Sequence, residues 1–209
     1  MKQLMFAVLF TALTAAVKAQ DFTYGLTAGS NLSTMRHTGD GEQPKFVIGF
    51  QLGAFAEWPL ADKINLRPEL QYISVGYKYP PDDNVGFREK IDYVTLPLMA
   101  EYSVAEKLKV GLGPYVSVKI VAKYKFIPYS EEDAEFEDES VFEYTDADND
   151  EFKTVDFGLG AGISYQLLPK FGVGLRYNHG LSSILKVENT DGSQGYNRFF
   201  TLGLSYTIR

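Results

Sequence analysis

An acidic segment, residues 127–151, holds the densest group of side chains in the sequence that could bind a ligand. It contains twelve Asp and Glu and no Lys or Arg. Asp146, Asp148 and Asp150 have the spacing with which a calcium-binding loop begins, but Glu151 occupies the sixth position, where such a loop needs glycine. The pattern predicts at most weak binding of Ca²⁺ or Mg²⁺. The alternative is a solvated, self-repelling loop that holds no metal.

The same acidic segment could instead bind a protein. Aromatic side chains interrupt the run of acids at Phe136, Phe142 and Tyr144, and aromatic residues often anchor protein interfaces. We therefore predict that loop 126–151 is the contact surface of this protein. Its charge would fit a basic partner.

Charged residues also occur inside segments whose apolar and polar residues alternate. If those segments are strands, eight charged residues share the face opposite the apolar side chains. An enclosed charge must be paired or remain hydrated. We predict that these residues form a structural polar cluster, with a narrow gated path for a solute or a proton as the alternative. The eight residues are Glu57, Arg67, Glu69, Glu101, Lys109, Lys119, Asp156 and Arg176.

A nucleophilic site could use the run H-G-L-S-S at 179–183, where His179 lies near Ser182 and Ser183 in the sequence. A His–Ser pair can activate a hydroxyl. If the strand pattern places the chain in an outer membrane, a lipid-modifying enzyme is an alternative function. No orienting acid can be chosen from the sequence, and a single His at a membrane interface is commonly an amphipathic rim residue. We therefore predict that the chain is not an enzyme.

Motifs for cofactors and nucleic acid are missing from the sequence. The run G-L-G-A-G at 158–162 lacks the spacing of a dinucleotide-binding loop, and there is no phosphate-binding loop and no H-E-x-x-H. The chain has no cysteine and no basic run typical of nucleic-acid binding. We expect neither a cofactor nor a nucleic-acid partner.

The elements that would position these residues are strands. In residues 155–167 every second residue is apolar, while the residues between are polar or glycine, which is the period of a strand and not of a helix. The same alternation recurs along the chain. It predicts eight strands at 22–33, 46–58, 64–79, 90–103, 108–125, 152–166, 171–187 and 197–208.

Short and long connections alternate between these strands, so every short turn falls at one end of the sheet and every long loop at the other. Long strands with one apolar face, tight turns at one end and long loops at the other are typical of transmembrane β-barrels. We predict an all-β fold, an eight-stranded antiparallel up-and-down transmembrane β-barrel. A secreted soluble barrel of lipocalin type is the alternative, but its polar face would carry more Lys and Glu.

The barrel geometry gives each face a partner. The apolar face would meet lipid, and the glycine-rich face would line a lumen that eight strands leave just wide enough for side chains to fill. Aromatic residues are expected to form an outer ring at each membrane interface, among them Trp58 at the turns and Phe152 and Phe199 at the loops. Prolines inside the predicted strands should mark bulges, since a closed barrel has no edge strand to hold them. These are Pro68, Pro97 and Pro114.

The N-terminus has the pattern of a secretory signal peptide, with Lys2 followed by an apolar run and small residues before Gln20. We assign residues 1–19 to a cleaved signal peptide and residues 20–209 to the barrel domain, exported to the outer membrane. The formal charge of −7 becomes −9 without the two lysines of the signal peptide. Setting aside the twelve acids of the acidic segment leaves +3, so the body of the protein is not acidic.

Several of these strand segments together resemble a known family. They include Y-V-T-L-P-L-M-A-E-Y-S-V (93–104), V-G-L-G-P-Y-V-S-V-K (110–119) and V-G-L-R-Y-N-H-G-L-S-S-I (173–184). The chain is similar to the PorT-like outer-membrane β-barrel family. The resemblance implies a small barrel surrounded by the lipid of a Gram-negative outer membrane. Its motifs are structural, so no activity is carried over.

Overall fold

A computed structural model of the chain describes residues 22–39, 43–79, 85–128, 143–146, 152–186 and 193–209, and its strands form one antiparallel sheet. No helix among these residues is long and apolar enough to cross a membrane. The strands are β1 (Thr23–His37), β2 (Val47–Ala61), β3 (Ile64–Tyr79), β4 (Val85–Ala105), β5 (Leu108–Pro128), β6 (Glu143–Asp146), β7 (Val155–Leu168), β8 (Phe171–Gly180) and β9 (Gly195–Thr207).

The sheet closes on itself into a barrel. Strands β1 to β4 are neighbours in chain order, and β1 also pairs with β9, which leads through β8 and β7 to β5. The pairing of β4 with β5 completes the circle, so eight strands form the wall, and the short β6 pairs with β5 at its outer end. Closure gives each wall strand two neighbours, which satisfies the backbone without water. The predicted eight-stranded antiparallel up-and-down barrel is confirmed.

The outer face of the wall is apolar. Ile48 is 70% exposed, Leu112 60% and Leu204 61%, and the aliphatic side chains between them form a continuous band. Turns of two residues join β2 to β3, β4 to β5 and β7 to β8, all at the end of the barrel that carries the N- and C-termini of the wall. Lipid tails can cover such a band, whereas in water the whole apolar area would remain in contact with solvent at a cost in free energy.

The aromatic residues differ between the two ends of the barrel. At the turn end, Trp58 stacks on Phe22 with ring centroids 5.8 Å apart, and both lie on the outer face. At the loop end, Phe152 and Phe199 are 1% and 4% exposed and lie inside the barrel. The expectation of an outer ring of aromatics that includes these two residues is wrong, because they fill the lumen instead.

The prolines do not mark bulges. Pro68 pairs with Leu98, Pro97 with Tyr115 and Pro114 with Leu159, and the register on both sides of each proline is unchanged. The prediction of bulges there is wrong: some neighbouring pairs are missing from the ladder, but no residue is inserted. The register shifts lie elsewhere, for example between residues 92 and 93 of β4.

Two strand predictions need correction at the loop end. The predicted strand 171–187 ends at Gly180, and residues 181–186 turn across the barrel mouth. The predicted loop 126–151 contains β6, which pairs with residues 122–125 of β5. Both β4 and β5 are 21 residues long, whereas β8 has 10, so the wall is tallest on the side of the β4–β5 pair.

Candidate functional site

The turn-end half of the lumen holds a cluster of charged side chains. Alternation along β3 places Arg67 and Glu69 on the inner face, and Glu69 is 2% exposed. Glu69 accepts a hydrogen bond from Arg67 Nε at 2.8 Å. It also accepts from the two terminal nitrogens of Arg176, at 2.8 and 2.9 Å. This forked geometry is among the strongest polar contacts that side chains make.

Two more carboxylates and a lysine complete the cluster. Glu57 accepts a hydrogen bond from Lys109, whose Nζ also lies 3.7 Å from Glu101. Arg67 lies 3.8 Å from Glu57 and 3.9 Å from Glu101. Three cations therefore face three anions, and the cluster has no net formal charge. We call it the lumen charge cluster: Glu57, Arg67, Glu69, Glu101, Lys109 and Arg176.

Two of the eight predicted lumen residues lie outside this cluster, toward the loop end. Lys119 donates from Nζ to the carbonyl oxygen of Phe152 at 3.1 Å. Asp156 is 2% exposed and accepts hydrogen bonds from Ser182 Oγ at 2.6 Å and from Asn197 Nδ2 at 3.0 Å. Alternation did not reveal these partners, because they depend on how the chain enters β7 at Phe152, on how it leaves β8 at Ser182, and on which strands face each other across the lumen.

The loop-end half of the lumen is filled by an apolar core that the sequence analysis missed. In β3 the face that carries Arg67 and Glu69 continues as Ile73, Val75 and Tyr77, which are all at most 4% exposed. That change from charged to apolar side chains along one face was the available signal. We call this group the loop-end core: Met35, Ile73, Val75, Tyr77, Ile91, Tyr93, Tyr115, Ala122, Phe152, Ile184 and Phe199.

Residues 181–186, which we call the mouth segment, complete this core from above. The backbone nitrogen of Leu181 donates to the carbonyl oxygen of Phe157 at 2.9 Å, and that of Ile184 to Gly195 at 2.7 Å. Ile184 is 0% exposed. The backbone nitrogen of Lys153 donates to the Ile184 carbonyl oxygen at 2.7 Å, so the segment is held from both sides.

At the turn end, the lumen opens into a cavity of about 270 Å³. Turn residues Lys107 and Lys170 line it together with Glu57 and Lys109 of the charge cluster. Water can therefore reach the edge of the charge cluster from the turn end. Between this cavity and the loop end stand the buried part of the cluster and the loop-end core.

Most of the acidic segment lies outside the described residues. The contact candidates Phe136 and Phe142 and the metal candidates Asp148 and Asp150 fall there, so those predictions stay predictions. Two candidates lie in β6, where Tyr144 is opposite Tyr124 of β5 and Asp146 is opposite Ala122. Among the described residues, no three His, Asp or Glu are grouped as a metal site.

Within the described residues, His179 and Ser182 of the alternative enzyme site make hydrogen bonds to other groups and not to each other. His179 lies on the outer face, with Nδ1 3.0 Å from the hydroxyl of Tyr177. Ser182 donates to Asp156 and accepts from the backbone nitrogen of Phe157 at 2.9 Å. The described geometry thus engages the hydroxyl and the imidazole with other groups.

Comparisons with known proteins give a family match. A family model described as "Outer membrane protein beta-barrel domain" matches residues 18–186. No curated protein matches the chain.

Solved structures similar to this chain include three outer-membrane proteins. Ail, the attachment invasion locus protein of Yersinia pestis, has 12% identity and a TM-score of 0.48, and the match covers 90% of this chain and 100% of Ail. Neisserial surface protein A has 14% identity and a TM-score of 0.49, with 90% and 99% covered. The outer membrane protease OmpT of Escherichia coli has 11% identity and a TM-score of 0.44, with 90% and 95% covered.

Proposed function

This chain belongs to the outer membrane protein beta-barrel domain family, and we propose that it is an interaction protein whose lumen transports nothing. Its place is the outer membrane. The observation that carries the proposal is the loop-end core. Its buried apolar side chains fill the loop-end half of the lumen, and any solute crossing the barrel would have to pass through that half. The lumen charge cluster, with balanced and paired charges, acts as internal structure.

If the lumen is closed, the outer surface must carry the function. The acidic segment follows β5, one of the two longest strands, and β6 pairs with the outer end of that strand. Loop 126–151 is therefore attached to the tallest part of the wall, where a partner could reach it. We propose that it binds a basic protein through its carboxylates and through aromatic anchors.

Two finer assignments belong to this proposal. The first is that residues 1–19 are a signal peptide that is removed before residues 20–209 fold as the barrel. The second is the likeness to PorT-like barrels, which is supported by the strand segments that suggested it. The family match supports the wider family only, and no process is transferred from PorT-like proteins.

The experiment compares three strains. One produces the intact chain, one has residues 130–142 replaced by a Gly-Ser linker of equal length, and one has residues 187–192 replaced in the same way. The first replacement leaves β6 in place, and the second is a control at the same end of the barrel. Cells are crosslinked, the tagged barrel is purified from outer membranes in mild detergent, and the captured proteins are identified.

The proposal expects a protein captured equally by the intact chain and by the 187–192 control and lost when residues 130–142 are replaced. Folding of each variant is checked by the heat-dependent mobility of the barrel in electrophoresis. If all three folded chains capture the same proteins in the same amounts, residues 130–142 of loop 126–151 are not the contact surface.

A further inference from the structure

Cationic side chains lie directly opposite one another on the outer face of the tall part of the wall. Lys45 pairs with Lys78 of β3, Lys78 with Arg88 of β4, and Arg88 with Lys125 of β5. Opposed residues of an antiparallel pair project from the same face. The strand register thus sets four cations in one row across the wall.

A second pair lies next to this row, toward the membrane, where Lys90 of β4 is opposite Lys123 of β5. We call the group the outer basic array: Lys45, Lys78, Arg88, Lys90, Lys123 and Lys125.

The alternate residues of the same strands show that the array faces outward. Tyr77 of β3 is 4% exposed, Ile91 of β4 is 0% exposed and Ala122 of β5 is 3% exposed, and all three belong to the loop-end core inside the barrel. Successive residues of a strand point to opposite faces. The residues of the array on these strands therefore point away from the lumen.

The array lies just beyond the apolar band on the loop-end side, which is where lipid headgroups are expected. On the outer face of β4, Leu96 and Val94 are 54% and 40% exposed and belong to the lipid-facing band. The next two positions on this face, going toward the loop end, are Asp92 and Lys90. A strand rises about 3.3 Å per residue, and barrel strands tilt by about 40°. Lys90 thus lies roughly 10 Å beyond Val94 along the membrane normal.

Among the residues that the structure describes, the lysines of the array outnumber the acids beside them. Like charges placed directly opposite each other destabilise a sheet, so bound anions would stabilise an array of this kind. Among the described side chains, Asp92 makes an ion pair with the array, with Oδ2 3.2 Å from Lys123 Nζ. Glu143 of β6 stands opposite Lys125 in the register. In the described part of the wall, these two acids stand beside the five lysines of the array.

We propose that the outer basic array binds the phosphate groups of anionic glycolipid headgroups in the outer leaflet. Ammonium and guanidinium groups donate strong hydrogen bonds to phosphate oxygens. Lipid is the favoured source of phosphate because the array faces sideways, directly above side chains that lipid tails cover. The proposal rests on the outer-membrane location and the strand register, and it does not require the proposed function of loop 126–151.

The test uses the full-length chain, purified and folded in uncharged detergent. The probes are diphosphoryl lipid A and the same lipid without its phosphates, and native mass spectrometry counts the bound lipid. The test variant is Lys78→Gln, Lys90→Gln, Lys125→Gln, which leaves the Lys123–Asp92 ion pair in place. The control variant removes three lysines from the turns at the opposite end: Lys63→Gln, Lys107→Gln, Lys170→Gln.

The intact chain and the turn control should bind diphosphoryl lipid A in preference to the dephosphorylated lipid. The array variant should lose about a hundredfold in affinity for the diphosphoryl form, since each basic residue near an anionic surface contributes about fivefold. The charge-preserving variant Lys78→Arg, Lys90→Arg, Lys125→Arg should keep its binding. If the triple glutamine variant does not fold, each single substitution should still lower the affinity about fivefold.

Three results would overturn the proposal. The first is equal affinity of the intact chain for the two lipids, and the second is an equal loss of affinity in the array variant and the turn control. The third is a preference for diphosphoryl lipid A that arises only after residues 130–142 are replaced by a Gly-Ser linker. That result would mean that the acidic segment of the chain itself occupies the array.

Discussion

Removing the charge of Glu69 should weaken the barrel more than removing any other single charge of the lumen charge cluster. Glu69 is 2% exposed and accepts three hydrogen bonds from arginines, one from Arg67 and two from Arg176. In Glu69→Gln both guanidinium groups stay in the lumen, but one carboxylate is gone. Breaking a buried ion pair from one side costs about 3–5 kcal/mol. Because glutamine keeps one carbonyl acceptor, we expect a loss of about 3 kcal/mol in the free energy of unfolding.

The assay is urea unfolding of the barrel in lipid vesicles, followed by the fluorescence of Trp58, which is the single tryptophan of the chain. The matched control is Glu57→Gln in the same cluster. Glu57 lies nearer the turn-end cavity, and the side chain of its partner Lys109 is 28% exposed, so water can replace part of the lost contact. The control should cost about 1 kcal/mol or less.

A double variant distinguishes the loss of the Glu69–Arg176 ion pair from a nonspecific loss of stability. Glu69→Gln combined with Arg176→Gln restores the balance between cations and anions in the lumen charge cluster. The double variant should therefore be more stable than the sum of the two single losses predicts, by about 2 kcal/mol. The reasoning is refuted if Glu69→Gln lies within about 0.5 kcal/mol of the parent chain, or if the two single losses simply add.

Three further predictions concern other parts of the chain. Gly158→Val should lower the yield of folded barrel, and it should lower the free energy of unfolding by at least about 1–3 kcal/mol in the same urea assay. The reason is that a Cβ at Gly158 would lie 2.7 Å from the ring of Tyr115. An unchanged urea midpoint would contradict this packing. Ile184→Ser should loosen the mouth segment, so trypsin added to intact cells should cleave after Lys186 faster than in the parent chain, and equal cleavage rates would contradict the role of Ile184. Intact-mass analysis of the protein from outer membranes should give a chain that begins at Gln20, and a mass that includes residues 1–19 would reject the signal peptide.

The fold could be predicted from the sequence because a membrane imposes a regular pattern on a barrel. Each wall strand must present apolar side chains to lipid, so residues such as Leu202 and Leu204 mark the outer face without knowledge of their neighbours. The inner face of β3 followed from the same alternation, which placed Arg67 and Glu69 on one side before their partners were known.

Features that depend on contacts between distant segments could not be predicted in this way. The mouth segment retains some alternation, but it leaves the wall at Gly180, and backbone hydrogen bonds to Phe157, Gly195 and Lys153 hold Ile184 in the loop-end core. Register likewise depends on pairing, which is why Lys45, Lys78 and Lys125 are far apart in the sequence yet form one row. These cations therefore do not form a basic run in the sequence.

The prolines illustrate the limit of a local rule. A proline inside a closed sheet lacks one donor, and a bulge is one solution to that loss. Here Pro68, Pro97 and Pro114 remain in register, and the ladder instead lacks some of the neighbouring pairs. Local propensity predicts the disturbance, but only the pairing partners decide the form that it takes.

The most direct test of a closed lumen is electrical recording from the full-length barrel in planar lipid bilayers, with a porin of known conductance as the positive control. The account predicts no steady channel from the intact chain, because the loop-end core and the mouth segment fill the outer half of the lumen. Steady, ion-selective conductance from the folded, intact chain would contradict it. That result would turn the lumen charge cluster from internal structure into the lining of a pore.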